Sequence, residues 1–360
     1  MSAPASSMFT PAALETAGRL GLRLGRPNLE AFADTVLELA RADRDVVVVT
    51  SDSRGSGKLG PFGKALPAQI VEVGIAEQNL VGMAAGLAST GKKVFAVSPA
   101  CFLTARSFEQ IKNDVAYSDN PVTLVGISAG VSYGALGTTH HSLHDFAALR
   151  AVNNLTVVAP ADNASTRAAV RAAASAPHPV YLRFGKAPVH DLPGLAAGDD
   201  VDALVFGRAR VLRDGTDIAF IANGETVVHA LLAAAELEAR DGLRCRVIDM
   251  ATIKPLDVKT LLAAGRDCAA VVTVEEHMVN GGLGEACATA LLAAGICPRF
   301  RIVGIPDEYT VTGSQADIFR HYGISMEGLA DTSRQLLNHE SVSARRTTLG
   351  ISQTLEGFSR

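Results

Sequence analysis

Glu77 is the ionisable residue whose position is hardest to justify on structural grounds alone. It falls in Val71–Ala88, VEVGIAEQNLVGMAAGLA, where Leu80, Met83, Ala84 and Leu87 recur at i, i+3, i+4 and i+7 and so form a helical stripe facing a core. Glu77 precedes Leu80 by three residues and Ala84 by seven, which puts its carboxylate on that same stripe. A carboxylate aimed at a core costs several kcal/mol unless it is paired, hydrogen-bonded or protonated. Two readings are open: a buried acid kept for chemistry, or a solvated glutamate favoured by the dipole at a helix start.

Three more groups have the residue types for chemistry. The loop SAGVSYGALGTTHHSLHD carries His140, His141, His144 and Asp145, with Gly130, Gly134 and Gly137 allowing backbone to approach a ligand. His140 and His144 at i, i+4 beside Asp145 suit zinc, but HHSLH is not HExxH and no cysteine or distant ligand completes a set, so no metal site is expected. Histidines that simply cap the loop are the plain alternative. Phe102, in SPACF after a strand, either packs in a core or stacks on a planar ring. Candidate anion binders are Arg26, Ser56 with Lys58, Arg106, and Arg183 in YLRFGK. A lone arginine is usually a surface group or half of a salt bridge. One inside a strand, however, also has the fork geometry for phosphate.

These residues are positioned by alternating helices and strands. Leu29–Ala40 reads as a helix and Val46–Thr50 as a buried strand, followed by the Gly/Ser loop Ser51–Gly63. A short strand ends at Gly74, and others are expected at Val94–Val97, Pro121–Ile127, Leu155–Ala159 and Val180–Phe184, with a helix near Thr104–Tyr117. Short apolar strands between helices indicate a parallel, doubly wound sheet, which binds ligands beyond the carboxyl ends of its strands. All the unusual polar residues fall in those loops. A second unit has strands near Asp217–Ala222, Cys245–Ile248, Ala270–Glu275 and Phe300–Ile305. The expected plan is an α/β chain of two doubly wound domains, 26–185 and 202–340, with an N-terminal arm (1–25), a linker (186–201) and a tail (341–360).

Composition agrees with that plan. A chain of 360 residues, 48% of them hydrophobic, can build two cores. A net charge of −4 argues against nucleic acid or a membrane surface as partner, so an anionic substrate needs a local basic pocket. The five cysteines include no CxxC pair and read as reduced thiols of a cytoplasmic protein. No leader peptide and no membrane-spanning run are evident. The sequence also has no GDG followed by Asn-Asn and no P-loop, so it offers no familiar cradle for a diphosphate–Mg²⁺ group.

Taken together, VEVGIAEQNLVGMAAGLAS, SPACFLTARSFEQIKND, GALGTTHHSLHDFAALR and VYLRFGK resemble the transketolase family's pyrimidine-binding domain, and EEHMVNGGLGEA resembles a signature of its C-terminal domain. The resemblance spans about Arg26 to Leu337 and lacks the family's diphosphate-binding half. It therefore implies the C-terminal subunit of a split transketolase, moving a two-carbon ketol unit from a ketose to an aldose. It also implies thiamine diphosphate and Mg²⁺, with the diphosphate and metal held mainly by an N-terminal partner subunit in an α2β2 assembly. By the same resemblance, Glu77 hydrogen-bonds N1′ of the cofactor's aminopyrimidine, Phe102 stacks on that ring, and Arg106 belongs to the cofactor pocket. His140 contacts substrate oxygens beside the reactive carbon. Arg183 binds the sugar phosphate, with Arg26, Ser56 and Ser128 at neighbouring positions.

Three departures stand out. Leu136 occupies a position where full-length members carry Asp, Ser128 the place of a phosphate-binding histidine, and Asn79 that of a histidine in many relatives. They point to an unusual anionic sugar: branched, deoxy or sulfonated. Two other readings share parts of the pattern, a β subunit of a 2-oxo acid dehydrogenase E1 component and a non-catalytic scaffold. GIAEQN and the Thr-His-His loop favour the transketolase.

Overall fold

Val46–Thr50 is an unbroken run of β-branched residues, all buried, as a strand covered on both faces requires. The computed structural model describes residues 8–193 and 204–348 and builds two parallel sheets around such runs. In chain order, the strands of the first half are β1 (Leu24–Pro27), β2 (Val46–Thr50), β3 (Ile70–Glu72), β4 (Lys93–Pro99), β5 (Val122–Ile127), β6 (Thr156–Val158), β7 (Val180–Arg183) and β8 (Pro188–His190). Those of the second are β9 (Arg210–Arg213), β10 (Ile218–Ala222), β11 (Cys245–Asp249), β12 (Thr252–Lys254), β13 (Ala270–Met278) and β14 (Arg299–Ile305). The first sheet has the order β12-β6-β7-β5-β4-β2-β3 and the second β14-β13-β10-β11-β9. Only the edge strands β12 and β9 run antiparallel to their neighbours, and helices cover both faces. This is the two-unit α/β architecture that the strand pattern implies.

Several elements differ from the sequence reading. The expected N-terminal arm contains a helix, Pro11–Arg19, started by the Thr10 side chain and a proline. Its Ala13 and Ala17 join the core of the second domain. The expected linker begins with a strand, since β8 pairs with β1, while residues 194–203 lie outside the described residues. The last helix, Met326–Thr348, runs past the expected tail boundary, and 1–7 and 349–360 are likewise outside the described residues. In helix Glu77–Ser89 the buried set is Glu77, Leu80, Val81, Ala84, Ala85 and Ala88, whereas Met83 is exposed. The helix expected near Thr104 starts at Ala100 and breaks at Ser107, continuing through Ile111–Tyr117 as a π-helix.

The two domains meet at the carboxyl ends of their strands. Glu276, on β13, accepts hydrogen bonds from Val131 N–H and from Gln315 Nε2, each at 2.8 Å. Glu225, after β10, accepts one from Gly185 N–H at 3.1 Å. Burial pushes the Glu225 carboxyl up to about 8 and that of Glu276 up to about 7. Gly130 has φ of 60°, and a Cβ there would fall inside the Glu276 carboxyl group; one at Gly185 would fall inside that of Glu225. Backbone without side chains is what lets the two sheet edges approach.

Gly130→Ala is expected to cost at least ~1–2 kcal/mol from its left-handed backbone alone, read as a lower denaturation midpoint. A second expectation concerns pH. Glu225 and Glu276 bind protons more tightly folded than unfolded, where a glutamate titrates near ~4.3. Their contribution is therefore complete at low pH and lost as pH rises through their folded values. Stability should fall as pH rises from ~4.3 to about 8, with a smaller fall in Glu225→Gln; equal slopes in pH-dependent urea melts would refute it.

Candidate active site

The loops at the carboxyl ends of β3, β4, β5 and β7 bring together side chains that are distant in sequence. After β3 the chain turns at Gly74, whose φ of 72° suits glycine, and Glu77 opens the next helix. The Glu77 side chain is buried, and its Oε1 accepts a hydrogen bond from Arg106 Nη1 at 2.8 Å. Its other oxygen takes no hydrogen bond from any described residue. Phe102 lies in the helix following β4, and the guanidinium carbon of Arg106 sits 4.2 Å from the centre of its ring. The ring of His140 meets Phe102 edge-on at 5.4 Å and Tyr133 edge-on at 5.3 Å. Lys186, just past β7, holds its ammonium 4.6 Å from the centre of the Tyr133 ring. Glu77, Arg106, Phe102, His140, Tyr133 and Lys186 thus form one continuous line of contacts.

The remaining residues singled out in the sequence are placed differently. The Arg183 side chain is largely buried, and two of its three nitrogens are tied to the protein. Its Nε donates to Asp145 Oδ2 at 2.8 Å, and its Nη2 donates to Ser142 O at 3.0 Å and to Glu276 O at 2.8 Å. Phe146 packs on the guanidinium at 4.4 Å. Burial works against a charged Asp145, yet the Arg183 guanidinium holds its carboxyl below the ordinary value. Arg26 pairs with Asp34 at 2.6 Å, and Ser56 donates to Ser53 O within its exposed loop; neither contacts the Glu77 group. Ser128 is fully buried with φ of 53°, and its hydroxyl makes no hydrogen bond of ordinary geometry.

His141 is structural. Its Nε2 lies 3.0 Å from Gly134 O and must donate, so Nδ1 accepts from the Thr310 hydroxyl at 2.8 Å. Burial lowers its pKa, in keeping with a neutral ring. His144 is exposed while Asp145 turns inward, and among the described residues no three His, Cys, Asp or Glu side chains are grouped to hold a metal ion. Cys101, beside Phe102, is pushed up to about 11 by burial and so holds its proton at neutral pH. Leu136 and Asn79 are exposed. Tyr133 and Lys186 were not singled out by sequence reasoning; the signal for Lys186 was its place just beyond a strand's carboxyl end.

Comparison with known proteins settles the lineage. Residues 27–190 match the transketolase pyrimidine-binding domain and residues 207–329 the transketolase C-terminal domain. The chain belongs to the transketolase family. It is 50% identical to a subunit of the apulose-4-phosphate transketolase of Phocaeicola vulgatus, covering 86% of this chain and 96% of that protein. It is 36% identical to a putative transketolase C-terminal section of Methanocaldococcus jannaschii, covering 84% and 93%. A solved split-gene transketolase, an inactive beta4 tetramer, superposes with a TM-score of 0.76 at 36% identity, covering 87% of this chain and 99% of that one. Matching such stand-alone chains over nearly their whole length makes this transketolase chain the C-terminal subunit of a split enzyme.

The residues present fit the pyrimidine end of the family's cofactor. Glu77, a largely buried side chain, keeps one carboxylate oxygen that accepts from no described residue, and Phe102 offers an aromatic surface on the other side of Arg106. Arg106, which bridges the two, has a half-exposed side chain and leaves without burying an unpaired charge of its own. For Arg183→Met the expected result is ~3–5 kcal/mol lost from stability, the cost of stranding buried Asp145. Denaturant melts of the reconstituted complex measure it. A melt unchanged from wild type, with a raised KM for an anionic sugar, would assign Arg183 to the substrate site.

Proposed function

We propose that this chain, joined to an N-terminal partner, transfers a two-carbon ketol unit from a phosphorylated ketose to an aldose. The observation that carries this reading is the Glu77 side chain, largely buried, linked through Arg106 to Phe102 and His140, with one oxygen unused by the described protein. Thiamine diphosphate, when bound, supplies the electron sink that cleavage of a ketose carbon–carbon bond needs. Glu77 would hold a proton at N1′ of its aminopyrimidine, and Phe102 would pack against that ring. His140, between Phe102 and Tyr133, would orient substrate oxygens. Burial around Glu77 excludes water, which strengthens each of these interactions.

No diphosphate or Mg²⁺ cradle is expected in this chain, so both fall to the partner. An exposed apolar side chain supports a covering chain on this face: Ile75, two residues before Glu77, is 73% exposed. An α2β2 assembly in the cytoplasm is the arrangement we favour. Among donors, apulose 4-phosphate is the first to test, since the matching transketolase subunits of Phocaeicola vulgatus and Actinobacillus succinogenes, 50% and 38% identical, are named for it. Leu136, exposed where full-length relatives carry Asp, supports a sugar lacking the usual hydroxyl contact.

Glu77→Gln in the reconstituted complex should lower kcat by roughly 10²–10⁴-fold, the scale of acid–base contributions, with an unaltered melting temperature. Near-normal turnover would remove Glu77 from the mechanism. Release of CO2 from a 2-oxo acid without ketol transfer would favour the dehydrogenase reading instead.

A further inference from the structure

The proposed substrate carries an anionic group, and the positive charge around the site is largely committed elsewhere. Arg106 pairs with Glu77 and Arg183 with Asp145, both at 2.8 Å. Arg26 pairs with Asp34 at 2.6 Å, Lys58 with Glu30 at 3.5 Å, and Arg54 with Glu72 at 3.8 Å. The Arg150 guanidinium is turned to the carbonyl oxygens of Gly281 and Gly282. Lys186 differs from all of these. Its side chain is exposed, and among the described residues no carboxylate lies within ion-pair distance of it. The acid nearest along its contacts, Glu225, is buried and bonded to the N–H of Gly185.

The position of Lys186 is also defined. Its ammonium rests 4.6 Å from the centre of the Tyr133 ring, an attraction that orients the cation without neutralising it. Tyr133 in turn touches His140, so Lys186 stands one aromatic ring beyond the residue that would face the reacting carbonyl. A ketose lying along Tyr133 from His140 would end at this ammonium. We propose that Lys186 binds the anionic end of the ketose, phosphate or sulfonate, as a contact additional to those the sequence pattern implies. This rests on the ketol-transfer reading above.

The test uses the complex reconstituted with its N-terminal partner. Wild type, Lys186→Met and Lys186→Arg are assayed with a phosphorylated ketose, its sulfonated analogue and the unphosphorylated ketose of the same skeleton. In Lys186→Met the preference in kcat/KM for the phosphorylated over the neutral ketose should fall about 10- to 100-fold, the size of a charged hydrogen bond, mainly through KM. Inhibition by inorganic phosphate should weaken in parallel, and Lys186→Arg should restore most of both. The same pattern with the sulfonated ketose alone would support the site and name its anion. An unchanged preference, or equal losses with charged and neutral ketoses, would overturn the assignment while leaving ketol transfer intact. Absence of ketol transfer by wild type with every sugar would overturn the underlying reading, and the Lys186 role with it.

Discussion

A buried guanidinium cannot be left without partners, and in this chain that requirement shapes the active-site loop. Arg183 ends β7 between the two domains and donates to Asp145, to the Ser142 carbonyl and to the Glu276 carbonyl. Tyr181 donates to the same Asp145 oxygen at 2.7 Å. Asp145 and Ser142 close the Gly-rich loop that begins at Ser128, and a bridge joins Gly130 to Ser142 at its neck. Removing Arg183 or Asp145 would strand the other as a buried charge, so the two persist together.

The second domain is therefore a wall of the site as well as a neighbour. Glu276 grips Val131 N–H at the start of the loop. Thr310 donates to His141 at its end, and Gly134 packs against the Gly313 carbonyl so closely that a side chain there has no space. His140 and Tyr133 lie between these fixed points and inherit their positions from them. Preorganisation of this kind is what a ring such as His140 needs if it is to orient a substrate.

The strands were legible because five- and six-residue runs of buried valine, leucine and isoleucine have few other uses. Glu77 was legible too, as an acid on an apolar stripe. The partners of Arg183 were not, because an arginine beside a phenylalanine in a strand has two physical explanations that look alike in sequence. What separates them is the partner, and Asp145 and Glu276 lie 38 and 93 residues away. The helix Pro11–Arg19, treated as an arm, docks through Ala13, Thr16 and Ala17. Met83 was misassigned because the helix turns Val81 and Ala85 inward instead. The β1–β8 pair depends on a contact across most of the first domain, which no local pattern encodes.

Two ion pairs of the same 2.8 Å length have opposite physical consequences here. In Arg183–Asp145 the side chains are 6% and 0% exposed, so opening the pair would strand a buried charge. In Glu77–Arg106 the acid is 6% exposed but the arginine is 47% exposed. Arg106 can return to solvent at little cost, since exposed charges lose only modest energy when a pair opens. Glu77 alone then needs a new donor. A buried acid held by a half-exposed arginine has a partner that can be exchanged without stranding a second buried charge. Sequence spacing marks both arginines equally; only the exposure of each guanidinium tells the fixed tie from the exchangeable one.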